Sequence, residues 1–437
     1  MDEPNAYYPS LLAMGLAAAN LALTIRCVYH DFRARDPILL FWLGSLYTAG
    51  IPLFIDCLAW LLGYGEAWNY ILNSQMENYP YNLSSSLLIR ISLFVLAFNA
   101  LLKLSMNLTE RILPLGSPLA CRLEDSRSSL YVIHLSIFLG WCGMISLLLS
   151  PRGNLIIVTI SSLLVTLGSS AVFLAITRKK KVLCVMGAFP SVLTSFVTGE
   201  RPFVVSAIGC AILGYVYLSP RVLSAKKVSA LVLIGLLSVL LLNSVLIGRG
   251  PDVGIPDVVH NSLYPVVRDS STPTLYYCFG ESMLMDQGTE FRGIKFLVKT
   301  GFFPGTLWGT RDFAEADVPS YLATKWFAWS AGSVHPAIYG WAFVDMKWYG
   351  VLFGVYVGFF SSLLVRWARR DWFQRAIVIS ALSMFFTVGG RGSVQVGYSR
   401  TIYVVVVGLL VAKLLIRSPV SANRIDEETG HFALDSR

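Results

Sequence analysis

The run from Val228 to Ile247, VSALVLIGLLSVLLLNSVLI, carries no charge and is long enough to cross a bilayer core of about 30 Å. Residues 248–347 come next and are mostly polar and aromatic, and the chain turns apolar again at Trp348. In lipid every backbone N–H and C=O must be satisfied within the protein, so only helices and closed barrels can span. The alternating segments of about ten residues that build a barrel are missing. The fold class is therefore all-α: a polytopic transmembrane helical bundle with a large loop at one membrane face.

The rest of the chain agrees. Apolar residues make up 55% of its 437 residues and charged residues only 14%, against about 25% charged in a soluble domain. We read about eleven spans (eleven to fourteen allowed). They lie near 8–26, 37–63, 86–106, 129–150, 155–177, 182–198, 203–218, 228–247, 348–367, 376–389 and 401–416. The second contains Pro52 and is expected to tilt or kink. The apolar stretch Pro336–Val344 is too short to span and reads as a re-entrant or interfacial helix. The organisation is thus 1–247 (N-terminal helices), 248–347 (large loop with short or re-entrant helices), 348–417 (C-terminal helices) and 418–437 (a polar tail). No internal repeat is visible, nor are the paired broken half-spans of inverted-repeat transporters.

Lysine and arginine set the orientation. One set of connections holds Arg26/Arg33/Arg35, Lys103/Arg111/Arg122/Arg127, Arg178/Lys179/Lys180/Lys181, Arg221/Lys226/Lys227 and Arg366/Arg369/Arg370/Arg375. The short alternate connections are poor in basic residues. The first set is expected inside, which puts the N-terminus and the 248–347 loop outside and the C-terminus in the cytoplasm. The net charge of +9 is then sorting bias rather than a nucleic-acid footprint. The acidic opening MDEPNAYYPS lacks the basic flank of a signal peptide. The cysteines are scattered, without CxxC or His–Cys grouping, and only Cys278 lies in the large loop; no metal centre is expected.

Basic residues on the outer side run against the bias, so each asks for a reason. They are Arg201 in TGERP, Arg249 in IGRGPD, Arg268 in VVRDSS, Arg311 in WGTRDF, and Arg391 and Arg400 around GGRGSVQVGYSR. A guanidinium is a permanently charged fork that fits phosphate oxygens in bidentate fashion. Adjacent glycines let backbone amides approach an anion. Taken singly, such an arginine usually serves a local acid or a lipid headgroup. Taken together, they suit a lipid-anchored diphosphate, with Arg201, Arg249, Arg268, Arg391 and Arg400 as the binding set. Acid–base candidates on the same side are Glu200, Asp269 and His335. Asp56 and Arg90, near the outer ends of neighbouring spans, read as a structural pair. There is no GxSxG, HExxH or Walker-type motif.

TGERPFVV at the head of a span, the basic and aromatic outer loop, and HPAIYGWAFVDMKWYGVLFGVYVG after it resemble the integral-membrane O-antigen polymerases (Wzy type). The likeness extends as architecture over roughly residues 80–415, and one family pattern, an arginine and a glycine separated by ten residues, is not matched at Arg268, where the glycine comes one place late at Gly280. The resemblance implies a GT-C-like, metal-independent glycosyltransferase without cofactor in the bacterial inner membrane. It would move a growing glycan from undecaprenyl diphosphate onto a new lipid-linked repeat unit at the periplasmic face. It also implies a chain-length regulator and a flippase as partners, besides membrane lipids. Two alternatives remain: an O-antigen ligase with the same donor, or a flippase or transporter of lipid-linked oligosaccharide. The transporter predicts polar residues along mid-span, whereas segments such as LIIVTISSLLVTLG read as largely apolar.

Overall fold

The computed structural model describes residues 7–75, 83–113, 126–149, 155–198, 202–218, 271–280, 291–302, 318–326, 335–367, 372–390, 392 and 394–415. Among them every regular element is a helix. Seven helical stretches are long and apolar enough to cross a membrane. Each expected span that falls on described residues is occupied by helix. The span expected at 228–247 lies outside them.

The first half comprises α1 (Tyr7–Ala34), α2 (Leu39–Ser45), α3 (Ile51–Leu61), α4 (Gly65–Gln75), α5 (Ser85–Ile112), α6 (Ser126–Leu149), α7 (Leu155–Gly168), α8 (Ser170–Thr177), α9 (Lys181–Thr198) and α10 (Pro202–Leu218). Among the described residues of the 248–347 segment are four short helices: α11 (Ser271–Phe279), α12 (Arg292–Phe302), α13 (Val318–Trp326) and α14 (Ala337–Met346). The chain ends in α15 (Phe353–Trp367), α16 (Trp372–Met384) and α17 (Val394–Leu415). Leu275, Phe279, Leu297 and Leu322, from the short helices, belong to the same apolar core as Phe94 and Phe98 of α5.

Helix α5, 28 residues long, shows how local chemistry sets its limits. Ser84 is extended, and its Oγ accepts from Leu87 N at 3.2 Å, so α5 starts on a serine N-cap. At its other end the buried Arg366 guanidinium donates to the carbonyls of Thr109 and Leu113, the latter at 2.5 Å. That satisfies carbonyls which the helix itself leaves open. Between these caps α15 lies hard against α5. A Cβ on Gly354 would sit 2.5 Å from the Phe98 carbonyl oxygen, and one on Gly358 would strike Leu102 O. Small residues spaced four apart let two membrane helices approach backbone to backbone.

Pro52 does break its span, and the break has a use. Proline has no N–H to give the carbonyl four residues before it. The backbone widens into a π turn over Leu46–Gly50, and the Thr48 carbonyl accepts from Thr272 Oγ1 of α11 at 2.8 Å. The sequence-level kink is thus a docking point for the loop. A second π turn, Phe385–Gly389, ends α16.

The stretch Ala337–Trp367 is not one straight rod. Lys347 takes φ 52°, a 3-10 turn covers Lys347–Leu352, and Trp341 meets Phe353 with ring centroids 5.0 Å apart. A Cβ on Gly350 would lie 2.5 Å from Ala342 O. Helix α14 therefore folds back on the 3-10 turn and the head of α15, and nearly all of its residues are buried. The short helix expected at Pro336–Val344 is present, inside the bundle rather than at its edge.

Mid-span polarity departs from expectation. Ser161, Ser162 and Thr166 of α7 are all buried. Ser380 Oγ donates to Thr166 O at 2.5 Å, Ser206 meets Ser380 at 3.1 Å, and Ser169 meets Ser191 at 2.8 Å. Hydroxyls can return their hydrogen bonds to helix carbonyls or to each other, so they join helices without lowering the apolar reading of the sequence.

Candidate functional site

Two junctions lie between helices that flank turns singled out in the sequence. The first lies where α16 stops. Gly392 adopts φ +116°, a conformation open to glycine, and its N–H donates to Gly389 O at 2.9 Å. A Cβ there would fall 2.6 Å from Pro336 Cδ and 3.1 Å from Ala337 N. Ile338 N donates to Gly390 O at 2.9 Å. The start of α14, with half-buried His335 just before it, is thus seated on the glycine turn that contains Arg391. Ala337 has φ +52°, and a non-glycine residue held there marks a locally strained backbone.

The second junction lies along α17. The half-buried Arg400 holds its guanidinium carbon 6.0 Å from the ring centroid of Phe203. Phe203 stands in the first turn of α10, directly after Arg201 and Pro202. Val204 N donates to Ser195 Oγ of α9 at 3.0 Å and fixes how α10 leaves α9. The two junctions are linked, because α17 begins beyond Gly392 and packs Gly397 on Gly389, where a Cβ would meet Gly389 N at 2.8 Å.

Of the residues expected to bind or react, His335 and Arg400 are described and stand at these junctions. Glu200, Arg201, Arg249, Arg268, Asp269 and Arg391 lie outside the described residues. Helix α11 begins just after Arg268 and Asp269, and Thr272 anchors it to the π turn at Thr48. That π turn follows α2, where Phe41 packs against Phe386 at 5.7 Å between ring centroids. Helix α14 touches both α11 and Gly390: a Cβ on Gly340 would lie 3.4 Å from Cys278 Sγ and Leu275 Cδ1, and Ile338 N donates to Gly390 O.

Each carboxylate oxygen of Asp56 accepts from a neutral donor. Trp68 Nε1 donates to Oδ1 at 2.8 Å and Tyr276 Oη to Oδ2 at 2.5 Å. This ties α3, α4 and α11 together. Other buried polar groups escaped the sequence reading. Tyr339 Oη donates to Asn99 Oδ1 at 3.0 Å and meets Ser45 Oγ at 2.6 Å, while Asn99 Nδ2 donates to Asn20 Oδ1 at 2.9 Å. The network pins α14 to α1, α2 and α5 at mid-length of α5. Asp345 accepts from Gly293 N at 3.0 Å and Ile294 N at 3.1 Å, so it caps α12. A carboxylate inside AFVDMKW was the available signal for Asp345; a lone tyrosine and asparagine in apolar runs carry no comparable mark.

Beside α17 runs an apolar groove of about 580 Å³, within the size range of about 300–1,000 Å³ usual for ligand sites. Helix α12 forms one wall, and Tyr349, Phe353, Tyr356 and Tyr398 stand among its other lining residues. Cys278, the loop cysteine, is buried, and desolvation pushes its thiol well above the ordinary value. Among the described residues no group of three or more His, Cys, Asp and Glu is arranged to hold a metal ion.

Comparison with protein-family models, with curated proteins and with solved structures found no match to this chain.

Proposed function

We propose that this protein is a glycosyltransferase of the O-antigen polymerase type, acting at the periplasmic face on saccharides carried by undecaprenyl diphosphate. The acceptor hydroxyl oxygen attacks the anomeric carbon of the donor glycan. The bond from that carbon to the diphosphate oxygen breaks, and its electron pair stays on the diphosphate. Glu200, Asp269 or His335 accepts the hydroxyl proton, and arginines hold the charge that develops on the leaving group. The donor is already activated, so neither nucleotide nor cofactor is required.

The observation that carries this reading is the meeting of chain-distant turns along α17. Pro336 and the head of α14 meet Gly390 and Gly392, and Arg400 lies over Phe203 at the head of α10. Helices from the middle and the end of the chain thus meet in one half of the bundle, and the basic turns singled out in the sequence adjoin them. Complementation of a deletion strain tests it. Arg201→Ala, Arg268→Ala and Arg391→Ala should each abolish long-chain lipopolysaccharide on gels while the protein still inserts. Full ladders from all three variants would rule the arginine clamp out.

A second reading, transport of lipid-linked oligosaccharide, draws support from the two π turns, the folded-back α14 and the buried hydroxyls between helices. Discontinuous helices of this kind line substrate paths in transporters. The deletion strain separates the readings. Loss of a polymerase leaves a single repeat capped on lipopolysaccharide, whereas loss of a flippase or a ligase leaves none.

A further inference from the structure

We infer that the groove beside α17 is the seat of the polyisoprenoid chain of a phosphorylated carrier lipid. This deepens the reading above and rests on it for the choice of carrier. The groove is lined by Phe291, Ile294, Leu297 and Val298 of the α12 segment and by apolar and tyrosine side chains of the 346–356 stretch and α17. Val298, Tyr349 and Leu352 are exposed, so the groove opens sideways, where a bilayer would meet it.

Three features point to this occupant. The lining is rich in rings (Phe291, Tyr349, Phe353, Tyr356 and Tyr398), and the faces of rings accept the C–H groups of a methyl-branched, unsaturated chain. The wall helix α12 is amphipathic. Ile294 and Leu297 face the groove, while Arg292 and Lys295 are exposed. An amphipathic helix with cationic residues on its polar side lies at the boundary between headgroups and hydrocarbon. Its charge complements a phosphate whose chain descends along the apolar wall.

The third feature is continuity between the groove and the head of α17. Trp341 Nε1 donates to Gln395 Oε1 at 2.9 Å, and a Cβ on Gly293 would touch Trp341 at 2.5 Å. The head of α12 therefore meets the first turn of α17. A chain lying in this groove has the exposed Arg292 and Lys295 of its wall helix at hand for the phosphate. The groove would fix the depth of the carrier and leave recognition of sugars to the loop.

The test uses the full-length protein in nanodiscs of phosphatidylethanolamine and phosphatidylglycerol, with undecaprenyl phosphate added and binding read by native mass spectrometry. The expected result is one retained undecaprenyl phosphate per protein against an excess of phospholipid. Val298→Trp and Leu352→Trp, which fill the groove from its exposed rim, should each weaken retention about tenfold. Val406→Trp, at an exposed position on α17 outside the lining, should leave it unchanged. Equal retention by all three variants, or retention of phospholipid in place of the polyprenyl phosphate, would overturn the assignment. The probe carries no sugar, so the binding result stands apart from the lipopolysaccharide ladder. Binding that persists while the deletion strain still makes long-chain lipopolysaccharide would keep the groove and remove the enzyme.

Discussion

The two ends of the bundle differ in how much of their positive charge the fold itself absorbs. At the end that collects the C-termini of α1, α5, α10 and α15, cations are absorbed by the fold. Lys103 Nζ lies 3.3 Å from Asp31 Oδ1, and Trp42 Nε1 donates to Asp31 Oδ2 at 2.8 Å. Arg366 closes the end of α5. Arg35 and Arg375 flank Tyr217, with guanidinium carbons 6.0 and 5.5 Å from its ring centroid. At the other end Arg400 likewise rests on the ring of Phe203, while Gly392 is seated on Pro336 and the head of α14. One end also ties its cations to a buried carboxylate and to helix carbonyls. The other sets Arg400 and a close-packed glycine turn near an apolar groove. An arginine count therefore says little about function until the carbonyls, carboxylates and rings around each guanidinium are known.

Mutations can break this contrast. The largest effect should come from Arg391→Ala, with long-chain product falling about 10²–10³-fold, the usual cost of losing one donor to a developing anion. The protein should accumulate and melt as wild type. A parallel fall in folded yield would make Arg391 another structural cation. Next comes Asp31→Ala. It strips a buried carboxylate from Trp42 and Lys103 and should cost about 3 kcal/mol. Thermal unfolding in detergent reads this, and the folded fraction should retain its product ladder.

Arg366→Met is expected to be milder, about 1–2 kcal/mol, because carbonyls at a helix end can turn to water or lipid headgroups. Its ladder, too, should stay normal once corrected for protein amount; a shortened ladder would carry function to the basic end. The smallest effect concerns Cys278. It lies in the expected outer loop, yet it is buried with its thiol held protonated. A membrane-impermeant maleimide applied to intact spheroplasts should leave it unmodified, and labelling should appear only after denaturation. Rapid labelling in the native state would show that α11 does not pack as described.

Much of the architecture is legible in the residues alone. Runs such as 86–106 and 182–198 are apolar over a membrane's thickness, and their helical form follows from that. Pro52 announces a break, although not that the carbonyl of Thr48 would hold Thr272. Pro336–Val344 is legible as a short helix, but its placement inside the bundle is not. That depends on Tyr339 finding Asn99 and Ser45, residues far away in the chain. The surroundings of Asp56 show the same limit. Proximity at span ends suggests Arg90 as a partner, but not that Trp68 and Tyr276 donate to its two oxygens. The mid-span hydroxyls are undercounted because hydropathy treats serine in an apolar run as a small perturbation. Their pairing across α7, α8, α9, α10 and α16 is invisible in one dimension.

The sequence by itself determined that this chain is a bundle of apolar helices with basic and glycine-rich turns between them. Hydrophobic run length and backbone hydrogen bonding in lipid leave no other fold class. Only the tertiary structure decided which turns meet. It seated the head of α14 on the Gly390–Gly392 turn, laid Arg400 over the start of α10, and opened a groove between α12 and α17. Those contacts join residues far apart in the chain, and they follow from side-chain packing and paired polar groups rather than from any local pattern of residues.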